Sequence, residues 1–281
     1  MEDVQAKFDD RDLPIDLVGV KGLRYPVTVR DKARQRQSTI AELSLSVGLP
    51  KHYRGTHMSR FVEVIHEHRA QVDMETLPSI VATLRERLEA KRARLEMSFP
   101  YFIERLAPVS RLPSLMSYQC RYVAEETDAG NDFVVAAQIP ITTLCPCSKA
   151  ISDYGAHNQR GYVEIAIRAT RQPGGLPSMV WIEELVEIGE RSGSAPIYPL
   201  LKREDERELT MRAYDHPAFV EDVVRHAVGE LRQDQRIDWL EVRAETVESI
   251  HDHNAFAMIS GWRNRQASGD NRDWLIAGTG R

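Results

Sequence analysis

The 281-residue sequence predicts an α+β protein built from two tandem modules, each an antiparallel sheet with helices packed on one face. Three observations predict it. Alternating apolar stretches recur at both ends of the chain, helical stripes sit between them, and the order strands, helix pair, strands runs through roughly twice. With 42% hydrophobic and 28% charged residues, the composition is that of an ordinary globular chain with enough apolar mass for a large core. The length suits two modules of about 140 residues.

The elements follow in order. Residues 1–13 are charged and aperiodic and read as a loose arm. Extended stretches at 15–30 and 37–47 come next, the second alternating through Ile40, Leu43, Leu45 and Val47. A loop at 50–56 leads into a helix over 58–70 with Phe61, Val62, Ile65 and His66 on one face. A second helix over 77–91 carries Ile80, Val81, Leu84 and Leu88 as its stripe. Strands are expected at 94–106, 114–125 and 132–141, with a hairpin signal at Asp128-Ala-Gly-Asn131, and again at 161–169. Helical stripes return at 181–191 and 216–233, and strands at 239–245 and 249–261 close the pattern. The module boundary is placed near Ala107–Leu112, giving modules at 14–110 and 111–262. The polar tail, 263–281, is expected to be partly disordered.

Composition also excludes. A net charge of −5 argues against a broad nucleic-acid-binding surface. No run approaches the roughly 20 apolar residues of a membrane span, and the first residues lack the layout of a signal peptide. A cytoplasmic protein is expected. Three cysteines, Cys120, Cys145 and Cys147, argue against a disulfide scaffold.

Four clusters carry the chemistry. In Leu144-Cys-Pro-Cys-Ser-Lys149, two cysteines at i and i+2 of an extended segment would share a side, and His157 lies in a glycine-flanked loop able to return to them. Thiolate plus imidazole suits zinc or iron; inert thiols in a strand are the plain alternative. In Glu248-Ser-Ile-His-Asp-His-Asn254, His251 and His253 share a face of a regular strand, either as ligands and proton-transfer groups or as polar residues at a strand end. The charge run 202–208 reads as solvated surface, and Glu221 lies off the apolar stripe of its helix, so a role for it needs a partner subunit or a substrate over that face. Finally, Lys51-His-Tyr-Arg-Gly-Thr-His-Met-Ser-Arg60 brings basic and hydroxyl groups to a helix start. It suits phosphate, or simple capping by Thr56 or Ser59.

Taken together, these segments resemble the type IB GTP cyclohydrolase I family of the tunnelling-fold (T-fold) superfamily. The resemblance covers about residues 18–259 and rests on seven blocks in order: Gly19-Val-Lys-Gly-Leu-Arg-Tyr-Pro26, Gly55-Thr-His-Met-Ser-Arg-Phe61, Cys145-Pro-Cys-Ser-Lys149, Tyr154-Gly-Ala-His-Asn-Gln-Arg-Gly161, Leu200-Leu-Lys-Arg203, Phe219-Val-Glu-Asp222 and Glu248-Ser-Ile-His-Asp-His-Asn254. Met211 stands where the family commonly has an acidic residue, and the tail beyond Trp262 is longer than the family core.

The resemblance implies two T-fold modules per subunit and a homotetramer with interfacial active sites, which would cover Glu221. It also implies a divalent metal, zinc first with manganese or iron as alternatives, held by Cys145, His157 and Glu206 with water in the fourth position. Glu221 would anchor the guanine edge. Cys147, His251 and His253 would lie beside the reacting ring with Glu248 in support, and Lys149, Arg160, Arg60 and Lys202 are the candidates for the triphosphate. The implied reaction opens the imidazole ring of GTP, releasing formate and giving 7,8-dihydroneopterin triphosphate, a pterin used for tetrahydrofolate or a modified tRNA base. Rival readings are a T-fold nitrile reductase acting on a deazapurine, with Cys145 or Cys147 as nucleophile, and a non-catalytic structural metal module. A zinc deaminase lacks its Pro-Cys-x-x-Cys spacing here.

Overall fold

A computed structural model describes residues 5, 7–68, 71–172, 176–264 and 274–276. Their contacts divide the chain into two compact units, one of residues 1–100, 121–135 and 171–179, the other of residues 101–120, 136–170 and 180–281.

The first unit opens with a long hairpin, β1 (Ile15–Asp31) and β2 (Gln35–Leu49). Asp31 builds its turn, its Oδ1 accepting from the amides of Ala33 (2.8 Å) and Arg34 (2.7 Å). A register shift between Val20 and Leu23 falls at Gly22, whose φ of 75° suits a residue without a Cβ. Helices α1 (Met58–His68) and α2 (Leu77–Arg87) bury Phe61, Val64, Ile65, Leu77, Ile80, Val81 and Leu84. β2 alternates as the sequence predicts over Leu43, Leu45 and Val47, although Ile40 is exposed, and the start of β3 (Arg92–Leu106) buries Ala93, Leu95, Met97 and Phe99. Apart from Ala93, each of these side chains contributes about 1.5–3 kcal/mol of burial. The expected loose arm is corrected in part. Residues 1–4 and 6 lie outside the described residues, but Phe8 bridges Tyr53, and the Arg54 amide donates to the Lys7 carbonyl at 3.1 Å.

β3, β4 (Pro113–Thr127) and β5 (Gly130–Leu144) each run from one unit into the other. The second unit adds α3 (Pro146–Ile151), β6 (Asn158–Ala169), α4 (Ile182–Ser192), β7 (Ala195–Pro196), α5 (Arg203–Asp215), α6 (Val220–Leu231), β8 (Ile237–Val247), β9 (Ala255–Arg263) and β10 (Trp274–Ile276). Here α6 packs Val223, Val224, Ala227 and Leu231 against β8, β9 and α4. In the sheet, hydrogen-bonded neighbours follow the order β1-β2-β3-β4-β5-β6-β8-β9-β10, with β7 on β5. Among the described residues no helix is long and apolar enough to cross a membrane.

The α+β class holds, with two corrections of detail. Residues 107–112 form the turn joining β3 to β4, closed by the Ala107 amide on the Leu112 carbonyl at 3.0 Å. The helix expected over 216–233 starts only at Val220, because Pro217 interrupts it and the Phe219 amide is capped by Asp222 Oδ2 at 3.1 Å. Of the tail, residues 265–273 and 277–281 lie outside the described residues, while Trp274–Ile276 pairs with β9 and Trp274 is buried.

Candidate active site

The Cys145 block does not continue as a strand. Pro146 occupies the first position of α3, where its fixed φ and missing amide cost nothing, and Cys145 is the N-cap. Its Sγ accepts from the Ser148 amide at 3.4 Å, so Cys145 is half-buried and aimed by a helix start, while Cys147 inside the helix is exposed. The expectation that both thiols share one side of an extended segment is therefore corrected. Cys120 is buried, and burial pushes its thiol well above the ordinary range, which makes it inert.

His157 comes back to Cys145 as expected. The Cys145 amide donates to the His157 carbonyl at 3.1 Å, the His157 amide donates to Ser148 Oγ at 3.3 Å, and His157 Nδ1 lies 3.3 Å from Ser249 Oγ. Glu248 joins the same cluster: its Oε1 accepts from Gln159 Nε2 at 3.0 Å and from Thr246 Oγ1 at 3.1 Å. Gln159 Oε1 and Thr143 Oγ1 are buried polar atoms with no hydrogen-bond partner, two residues from His157 and Cys145 respectively.

His251 and His253 do meet, but not on a strand. Residues 248–254 form a bend-rich connection between β8 and β9, and it stacks the two exposed imidazoles with centroids 5.3 Å apart.

The charge run 202–208 is the first half of α5, an element the sequence reading missed. Asp205, fully buried, fixes it. Its Oδ1 accepts from the amides of Val109 and Ser110, both at 2.8 Å, and its Oδ2 accepts from the Ser110 hydroxyl at 2.6 Å and the Lys202 amide at 2.9 Å. Burial alone would raise this carboxyl; the Ser110 hydroxyl and the three amides outweigh it and hold it well below the usual carboxylate range. Past the other end of α5, the Ala218 amide donates to the Leu144 carbonyl at 3.1 Å. The helix carrying Glu206 is thus tied to the β3–β4 turn and to the residue before Cys145.

Glu206 itself is exposed, as is Glu221 in the first turn of α6. Among the described residues, no three His, Cys, Asp or Glu side chains are gathered closely enough to hold a metal ion. Cys145 and His157 are brought together; Glu206 is on a neighbouring element but is not drawn into that pair.

The cations scatter further. Lys149 lies along α5, donating to the Tyr214 carbonyl at 2.5 Å and lying 4.2 Å from the Tyr214 ring centroid, where it neutralises the C-terminal end of α5. Arg160 and Lys202 are exposed. Arg60 belongs to the first unit and donates to the Arg87 carbonyl at 2.9 Å.

Chemically, the cluster offers one aimed thiol, one imidazole restrained at Nδ1, one carboxylate with Oε1 doubly bonded by donors, and a stacked imidazole pair. Sequence reasoning missed Asp205, Ser148, Gln159, Thr246 and Ser249. An acidic residue three positions after Lys202, the capping spacing, signalled Asp205.

Comparisons with known proteins bear on this arrangement. The family model described as "Type I GTP cyclohydrolase folE2" matches residues 1–257. The protein named GTP cyclohydrolase FolE2 of Citrifermentans bemidjiense is 48% identical over 267 residues, covering 95% of this chain and 96% of that relative. That of Thermosipho africanus is 43% identical over 260 residues, covering 92% and 98%. Among solved structures, the uricase of Arthrobacter globiformis superposes with a TM-score of 0.52 at 8% identity, covering 91% of this chain and 96% of that one. A uricase from Bacillus fastidious gives 0.52 at 9%, covering 87% and 92%. At such low identity these two share the fold alone. Matched almost end to end by the family model and at 43% and 48% identity by these two relatives, the chain belongs to the type I GTP cyclohydrolase FolE2 family.

Proposed function

We propose that this chain is a GTP cyclohydrolase I, hydrolysing GTP to formate and 7,8-dihydroneopterin triphosphate. The observation that carries the reading is the gathering of Cys145, His157, Ser249 and Glu248 at the junction of β5, α3, β6 and β8, with the His251–His253 pair on the same connection.

A divalent ion, zinc before manganese or iron, would be held by Cys145, His157 and Glu206. The donor set fits: thiolate, imidazole and carboxylate suit zinc, and Cys145 and His157 are already neighbours. When bound, such an ion lowers the pKa of its water from 15.7 to about 7. The chain's own residues do the rest. His251 or His253 hands a proton to the imidazole-ring nitrogen as its bond to C8 breaks, a contribution of roughly 10²–10⁴-fold. Glu248, fixed by Gln159 and Thr246, supports that pair, and Cys147 flanks the ring. Glu221 takes the guanine edge. Because it is exposed, it needs a second copy of the chain over it, which favours a homotetramer with interfacial sites built from two T-fold modules per subunit. Arg160, Arg60 and Lys202 remain the candidates for the triphosphate; Lys149 would first have to leave Tyr214.

The test is the purified protein incubated with GTP and each metal, read by pterin fluorescence and formate release. Cys145→Ala and His157→Ala are expected to lose metal and turnover together, while Glu221→Gln keeps metal and loses GTP handling. NADPH oxidation with a deazapurine nitrile, in the absence of formate release from GTP, would establish the reductase reading instead.

A further inference from the structure

We infer that Ser249 is a positioning residue for His157, the outer of two side-chain contacts that the residues following β8 make with β6 and the loop before it. This rests on the proposed role of His157 as a metal ligand.

The register pairs Arg160 with Val247 and Gly161 with Thr246. Continued by one residue, it sets Gln159 opposite Glu248, although β8 has ended at Val247. There the side chains take over from the backbone: Gln159 Nε2 donates to Glu248 Oε1 at 3.0 Å, and Ser249, which the register would set opposite Asn158, reaches diagonally to His157, its Oγ 3.3 Å from Nδ1. The chain leaving β8 is thereby fastened to Gln159 in β6 and to His157 just before it, ahead of the segment carrying His251 and His253.

For His157 the consequence is a three-way restraint. Its carbonyl is held by the Cys145 amide, its own amide by Ser148 Oγ, and its ring by Ser249. The first two fix the backbone; of the three, only Ser249 acts on the ring. A hydroxyl at Nδ1 leaves Nε2 as the nitrogen available to a ligand. A ligating imidazole held through its other nitrogen is oriented by that contact, and loss of such a partner typically weakens metal binding by 10–100-fold. At 3.3 Å the contact is long, which places the expected effect at the lower end.

The experiment uses the full chain with Co²⁺ and Zn²⁺, measuring affinity by chelator competition and the ligand field by the visible Co²⁺ bands. Ser249→Ala is expected to weaken both metals about tenfold and to alter the Co²⁺ bands. Ser249→Thr, which keeps the hydroxyl, restores affinity to near wild type. His157→Ala is measured alongside. If it loses the metal while Ser249→Ala binds as wild type does, the positioning role is overturned and the ligand assignment stands. If His157→Ala itself binds metal like wild type, the ligand assignment falls. Equal losses in Ser249→Ala and Ser249→Thr also overturn the inference, since a hydroxyl would then not be the restoring group.

Discussion

Arg105→Met provides a strict test of the packing beneath α4. Arg105 on β3 pairs with Glu190 Oε2 on α4, and Tyr118 on β4 donates its hydroxyl to Glu190 Oε1 at 2.6 Å. The Glu190 side chain is 6% exposed and that of Arg105 21%. Removing one partner of a buried ion pair costs about 3–5 kcal/mol, because the remaining charge has lost both its solvent and its counter-charge. Two features of this site point to the lower end: Tyr118 still serves one oxygen, and Arg105 is partly wetted. A loss of about 3 kcal/mol is expected, or roughly 6–12 °C in Tm at 2–4 °C per kcal/mol for a chain of this size class. Glu190→Gln added to Arg105→Met removes the stranded charge but keeps an acceptor for Tyr118, and recovers at least half of the loss. Urea denaturation of wild type, both single variants and the double variant gives the coupling energy directly. A single variant within about 1 kcal/mol of wild type, or a double variant losing the sum of the singles, would refute the reasoning.

Four other outcomes follow from the same structure. Tyr118 is pushed up to about 12 by burial, with Arg105 pulling the other way. The neutral hydroxyl is favoured in the fold, so this contribution is whole below pH 10 and is lost as pH rises toward 12, about 2.7 kcal/mol for two units. Alkaline titration of Tyr118→Phe should lack that segment of the slope. Asp205 has the opposite sign: held low by its hydrogen bonds, it supports the fold above about pH 4 and ceases to do so as acid protonates it, so Asp205→Asn should flatten the acid limb of a stability–pH curve. Gly193→Ala places a Cβ 2.7 Å from Ile141 Cδ1 and 3.2 Å from the Thr142 carbonyl, and should cost about 1–3 kcal/mol by thermal melt. Leu231→Ala on α6, fully buried, should cost about 2–5 kcal/mol in the same assay.

What could be read from the sequence divides along physical lines. β2, α2 and α6 announce themselves because one face of each is apolar and periodic, whereas α1 shows as a helix whose buried face is Phe61, Val64 and Ile65, the expected Val62 and His66 being exposed. α5 does not, because only Asp205 and Ala213 of its thirteen residues are buried; a helix held by a polar pin has no stripe to find. In the Cys145 block alternation stops at Leu144, where a proline directly after a cap residue starts a helix. In the Glu248–Asn254 segment it stops at Val247, yet His251 and His253 still meet, since a tight connection can bring i and i+2 together as well as a strand can. The closeness of His157 to Cys145 was legible from the glycine-flanked loop. The hydroxyls and amides that hold the site, Ser148, Gln159, Thr246 and Ser249, were not, because nothing in a polar side chain's identity tells which distant strand it will face.

The buried carboxylate of Asp205 has one more consequence. Consecutive helical residues are rotated by about 100°, so a residue locked inward dictates the bearing of the next. Glu206 faces outward because Asp205 cannot turn. Moving that carboxylate one place along, to position 207, would swing it a further quarter-turn or more away, and no side-chain flexibility in α5 would bring the helix round again. The carboxylate proposed for the metal takes its bearing from a neighbour whose own partners are Val109, Ser110 and the Lys202 amide.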